Sequence, residues 1–281
     1  MKTSRKFPFF DECFPSLNQF ILELVEAYNA GKINSRGALE TSAGLFFTQE
    51  MMESMEVKVP GWKKMTSYSE GITLVHVMCV LLGLFMLPEF QSLTPEQQQL
   101  AKWIALFHDV EKVHINGERD YTHAFRSAVT TAGALNRIGF PVMDEFESIF
   151  NSWSQCTRSA VTESTTVPGQ QISDNRSLPG IIVGIEEMYG RNTPAALIVK
   201  GVLLHMSVNV VKDWPQPAPL TDDEIVRYVD KHLAPLLKVM HLADSEGWSI
   251  FETGMRTIPR KEILDAFQRV EGMIHRQSEQ A

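Results

Sequence analysis

The sequence is poor in cysteine: Cys13, Cys79 and Cys156 are widely spaced in 281 residues and form no C-x-x-C. That leaves no basis for a disulfide framework or a thiolate zinc site, and it fits a reduced, cytoplasmic protein. An excess of basic residues is also missing. The formal charge is −8, which gives no support for binding a nucleic-acid polymer, since that usually calls for a basic face. Long hydrophobic runs are absent too: the longest, Ile72 to Leu87, is 16 residues and carries His76, whereas a bilayer span needs about 20. It reads as a buried helix, and no membrane partner is expected. The N-terminal stretch is broken by Pro8, Asp11 and Glu12, so it does not read as a signal peptide. Sustained period-two alternation, internal repeats and low-complexity segments are missing as well.

What is present points to helices. Hydrophobic residues make up 44% and charged residues 21%, ordinary for a folded chain. Thr94, Pro95 and Gln97 form a capping box ahead of Leu100, Trp103, Ile104 and Phe107 at helical spacing. Thr193-Pro194 opens a second helix, which carries His205, and Thr221 with Glu224 opens a third, which Pro235 kinks or divides. Further helices are expected near residues 15–30, 69–87, 121–138, 141–162, 178–190 and 260–275. The fold class is therefore all-α, with residues 1–68 as an accessory helical layer ending near the Pro60-Gly61 turn and residues 69–281 as the main helical bundle. The polar stretch 162–180 reads as a lid or binding loop, with disorder as the alternative.

The chemistry concentrates at "ALFHDVEKV", where His108 and Asp109 stand side by side before the apolar stripe has ended. Near a helix end both side chains can turn toward one ion, and an imidazole nitrogen with a carboxylate oxygen suits Mn, Fe, Co, Ni or Zn. A divalent ion needs more ligands, and these should be His or Asp on other apolar helices. His76, inside "TLVHVMCVL", and Asp244, after "KVMHLA", are the candidates. Taken singly, a buried His is more often bonded to a carbonyl, and Asp244 can simply cap a turn. Lys112, one turn after His108, suits a phosphate or a leaving oxygen; the alternative is a solvated lysine favoured by the helix C-terminus. Glu111 is a weaker candidate, as a general base. His123 and Arg126 can share a helix face, and Arg158 can meet a phosphate or stand at the surface. No role is assigned to His114, His232, His241 or His275, and the methionines around residues 49–57 read as flexible packing.

The ordered set His76, His108-Asp109 and Asp244 resembles the HD-domain superfamily of metal-dependent phosphohydrolases. "THAFRSAVTTAGALNRIGFP" is similar to that family's following His-containing helix, and "LKVMHLADSEGW" to its late Ala-Asp segment. The likeness runs from about residue 70 to residue 250. It departs from the family at Glu111, where Gly is frequent, and in the long connection from Asp109 to Asp244, which leaves Asp222, Asp223 and Asp230 as rivals to Asp244. The resemblance implies an HD-type bundle with His76, His108, Asp109 and Asp244 as ligands of one divalent transition metal. It further implies Lys112 and His123 as catalytic groups, with Arg126 and Arg158 on the substrate. In two-metal members a histidine at the His123 position is a ligand of the second ion, and in one-metal members it can contact phosphate. Such members usually carry another His after the Gly-Phe-Pro segment, where this chain reads "FESIFNSWSQCTRS". That favours one metal and leaves a second open, with His205 to fill the gap. The implied activity is hydrolysis of a phosphate ester on a small phosphorylated substrate, most often a nucleotide. A di-iron oxygenase and a non-catalytic ligand-binding domain are the alternatives, and self-association is left open.

Overall fold

The structure, a computed structural model, describes residues 7–67, 72–113, 120–165, 167–208, 219–251 and 259–280. The caps form as the residues dictate. Thr94 accepts the N–H of Gln97, whose side chain accepts the N–H of Thr94, and Thr221 and Glu224 repeat the arrangement. Thr193 accepts from the N–H of Ala196. These caps satisfy donors that a helix start leaves without partners.

The described residues are all-α apart from one small hairpin. An N-terminal layer comprises α1 (Phe10–Cys13), α2 (Pro15–Asn29), α3 (Arg36–Phe46), α4 (Gln49–Lys58) and α5 (Trp62–Ser67). Then come α6 (Ile72–Met86), α7 (Pro88–Gln91), α8 (Pro95–Phe107), α9 (His123–Ile138) and α10 (Phe146–Arg158). The polar stretch holds an antiparallel hairpin, β1 (Val161–Glu163) with β2 (Gln171–Ser173), and a 3-10 turn, Asn175–Ser177. The chain continues through α11 (Leu178–Tyr189), α12 (Pro194–Leu204), α13 (Asp222–Tyr228), α14 (Ala234–Ser249) and α15 (Arg260–Gln280). Pro235 divides rather than kinks: α13 ends at Tyr228 and the proline sits in the first turn of α14, where its missing N–H costs nothing. Helix α10 stops at Arg158, short of the expected residue 162, because the chain turns there into β1.

The long apolar run forms α6, which is buried from Thr73 to Phe85 and packed by α2, α3, α5, α7, α8 and α14. Among the described residues no helix is long and apolar enough to cross a membrane. Helix α14 also packs on α8 and α12, and α12 packs on α8 and α9. The helices that carry or precede His76, His108, His123, His205 and Asp244 therefore form one connected set, with α8 touching each of the other four. The N-terminal layer covers the polar flank of α8: the buried Lys102 donates to Asp11 at 2.6 Å and to Asn18 at 3.1 Å, and Gln99 donates to Asp11 at 2.8 Å. A buried ammonium is tolerable only when paired in this way. The same layer reaches the turn after Asp109. Gly61, at φ +96, lies where a Cβ would come within 3.1 Å of the Val110 carbonyl, and Lys64 donates to Glu111 at 3.1 Å.

Helices α6 and α14 approach closely through Gly247. A Cβ there would lie 2.9 Å from Val80 Cγ2 and 3.0 Å from the Val80 nitrogen, so backbone would have to move. Gly247→Ala is expected to cost about 1–3 kcal/mol in denaturant unfolding. Gly44→Ala in α3, whose Cβ would meet nothing within 4 Å, should be neutral or gain about 0.5–1 kcal/mol. Equal stability of the two variants would show that α14 has room to shift.

Candidate metal centre

His108 and His205 each follow the last residue of a helix, α8 and α12 respectively. Carbonyls in a final helical turn lack intrahelical donors, and each imidazole uses one of them. His108 Nδ1 lies 2.8 Å from the Ala105 carbonyl and His205 Nδ1 lies 2.7 Å from that of Val202. His123, the first residue of α9, places Nδ1 2.6 Å from the Asp120 carbonyl. A carbonyl only accepts, so the Nδ1 of each ring carries the proton and Nε2 presents a lone pair.

Those Nε2 atoms converge on Asp109. Its Oδ2 lies 3.5 Å from His76 Nε2 and 3.6 Å from His108 Nε2, while its Oδ1 lies 2.9 Å from His123 Nε2 and 3.9 Å from His205 Nε2. Asp244 Oδ1 completes the first group, 2.9 Å from His76 Nε2 and 4.0 Å from His108 Nε2. Each Asp109 oxygen thus serves one group: His76, His108 and Asp244 on one side, His123 and His205 on the other.

The contacts make poor sense as hydrogen bonds and good sense as ligand contacts. His123 and His205 face each other at 3.3 Å through Nε2 atoms that both carry lone pairs. Asp109 Oδ1 and Asp244 Oδ1 are buried without a well-aligned hydrogen bond, although a ring nitrogen lies 2.9 Å from each. Donor atoms about 2.1 Å from a common cation stand about 3.0–3.5 Å from one another in octahedral or tetrahedral geometry, and the separations here, 2.9–4.0 Å, span that range. An Nδ1–H held by a carbonyl is also the usual support of a metal-bound imidazole. Each of the two groups could therefore hold a metal ion, with Asp109 common to both.

Charge agrees with that geometry. Burial lowers the pKa of His108 and takes that of His205 to about 3, so both rings stay neutral. Burial alone raises the carboxyl of Asp109, but the Lys112 ammonium beside it outweighs that effect and holds the group well below its ordinary value. Burial likewise opposes ionisation of Asp244, and the His76 ring 2.9 Å away overrides it. Lys112 Nζ sits 2.6 Å from Asp109 Oδ2, and the two aspartates keep it charged against the opposing effect of burial. The Asp244 and Lys112 side chains retain 31% and 17% exposure, whereas Asp109 and the four histidines are sealed. Solvent therefore meets the cluster along that Asp244–Lys112 margin.

The other sequence candidates lie elsewhere. Glu111 accepts from Thr130 at 2.6 Å and from Lys64, and it does not face the His–Asp cluster. Arg126, expected on the substrate, is engaged with Asp120, Thr122 and the Glu111 carbonyl. Arg158 is exposed near Thr130 and Glu111. Of the rivals to Asp244, Asp222 lies near Arg269 and Asp230 caps the N–H groups of His232 and Leu233; Asp223 is an exposed residue of the first turn of α13. His114 lies outside the described residues. His123, expected as a catalytic group, stands among the second group of ligands with His205, which the sequence held only in reserve. Asp120 had no sequence signal as a site residue, because the atom that holds His123 is its backbone carbonyl.

Comparison with protein-family models, with curated proteins and with solved structures found no match.

Proposed function

We propose that the chain is a two-metal phosphohydrolase of the HD-domain type, cleaving a phosphate ester of a small molecule, with nucleotides the favoured class. The observation that carries the reading is Asp109, whose two oxygens each serve a separate group of buried ligands. Ions bound there would supply Lewis acidity to phosphoryl oxygens and acidify a water. The chain supplies the rest. Asp109 sets the separation of the two groups, and the carbonyls of Ala105, Asp120 and Val202 keep the three imidazoles in the ligating tautomer. Lys112 places a fixed positive charge at the exposed margin, where a molecule of formal charge −8 must receive an anion. The resemblance to HD-domain phosphohydrolases supports the same assignment.

One observation favours a second reading, the di-iron oxygenase. That chemistry needs His123 and His205 on metal together, and they stand 3.3 Å apart at Asp109 Oδ1. Stripped protein reloaded with Mn²⁺, Co²⁺, Ni²⁺ or Fe²⁺ separates the two. The hydrolase releases phosphate from p-nitrophenyl phosphate, nucleoside monophosphates or cyclic nucleotides in a metal-dependent way. Oxygen uptake by the Fe²⁺ form, with no phosphoester cleaved under any metal, would contradict hydrolysis and support the oxygenase.

A further inference from the structure

His123 is held differently from the other ligands. The carbonyls that orient His108 and His205 belong to the final turns of α8 and α12 and are fixed by those helices. His123 begins its helix, so its acceptor, the Asp120 carbonyl, lies in non-helical chain. Thr122, the residue before His123, makes no side-chain cap to α9. Something else must fix residue 120.

The Asp120 carboxylate is held from both directions. Its Oδ2 accepts from the Val113 N–H at 2.9 Å and from the Arg126 guanidinium, while Oδ1 accepts the N–H and hydroxyl of Thr122, each at 3.1 Å. Arg126, one turn into α9, also donates to Thr122 Oγ1 and to the Glu111 carbonyl at 3.2 Å. Glu111 lies two residues after Asp109, and Val113 directly follows Lys112. The pair therefore staples the chain leaving the first ligand group to the chain entering the second. From the hairpin, Ser173 donates to the Tyr121 carbonyl at 3.2 Å and steadies the adjacent peptide.

We propose that Asp120 and Arg126 are positioning residues for the second ligand group: they fix the carbonyl that orients His123, and so control retention of the ion shared by Asp109, His123 and His205. Arg126 then serves the centre without touching substrate. The inference rests on the two-ion reading and needs neither hydrolysis nor oxygenation. Partners that orient a ligating imidazole typically contribute about 10–100-fold to metal affinity.

The test is a Co²⁺ titration of stripped protein, followed by calorimetry and by visible absorption. Wild type, Arg126→Met, Asp120→Asn and Arg126→Lys are compared, and His205→Ala identifies the binding step that belongs to the second group. In Arg126→Met and Asp120→Asn the step lost in His205→Ala should weaken about 10–100-fold, while the other step stays within about threefold. Arg126→Lys should fall between, since an ammonium replaces only part of the guanidinium's fork; it decides the matter if Arg126→Met does not fold. Two overturning results are unchanged affinity at the second step and equal weakening of both steps, the latter indicating a merely structural staple. Wild type that binds two ions, with variants that do the same at equal affinity, sinks this inference alone. Wild type that binds fewer than two sinks the two-ion reading as well.

Discussion

Asp109→Ala is expected to empty both halves of the centre at once. Each oxygen of Asp109 faces a different pair of imidazoles, so one truncation removes an anionic ligand from both groups. Affinity for each ion should fall at least about 100-fold, beyond the 10–100-fold typical of outer partners, and metal content should drop to background. His205→Ala lacks one neutral ligand of one group and should retain about one ion per chain on the same reasoning. Removing the carboxylate also takes from the Lys112 ammonium an anion 2.6 Å away, and breaking a largely buried pair by deleting one partner costs up to about 3–5 kcal/mol. Asp109→Asn, which keeps the volume, separates ligand loss from unfolding: it should fold and still lose metal. Mass spectrometry of both variants beside His205→Ala checks the pattern. One ion kept in folded Asp109→Ala would mean that the carboxylate serves a single group.

Acid should destabilise the metal-free protein well before ordinary carboxylates titrate. Burial lowers the pKa of His241 to about 4 and that of His205 to about 3, from 6.5. Above pH 6.5 these rings are neutral in both states and contribute nothing to the pH dependence. Below it the unfolded chain takes up protons that the native state refuses, so stability is lost as pH falls toward the native values. For His241 the gap between 6.5 and about 4 amounts to about 3 kcal/mol. Asp109 and Asp244, held below the usual carboxylate range, add loss in the same direction at lower pH. His241 packs on Phe267 of α15, and its Nε2 is buried without a partner. Replacing it removes the proton uptake without touching a ligand. In denaturant melts with chelator, His241→Leu should gain about 2 kcal/mol on wild type between pH 7.5 and pH 5. An unchanged difference would place His241 in a more solvated setting.

Much of the scaffold was legible because its signals are local. Thr94 with Gln97 and Thr221 with Glu224 announce helix starts through chemistry confined to one turn, and Pro235 marks the break between α13 and α14. The hairpin was not legible: three-residue strands such as Val161–Glu163 are too short for alternation to show. Helices α3 to α5 were anticipated only as a layer, since their amphipathic faces are short. At the centre, His76, His108, Asp109 and Asp244 stood out as polar side chains on apolar helices, which burial makes costly unless they find partners. His205 carried that signal as well, but its meeting with His123, 82 positions away, depends on α12 packing against α9. Asp120 and Arg126 gave no signal for their placement, because the contact that matters passes through a backbone carbonyl.

The most direct test is anomalous diffraction from crystals of Mn²⁺-loaded protein. Two peaks flanking Asp109 are expected, one on the side of His76, His108 and Asp244 and one on the side of His123 and His205. A single peak, or none at this cluster, would contradict the shared-carboxylate centre on which the proposed chemistry rests.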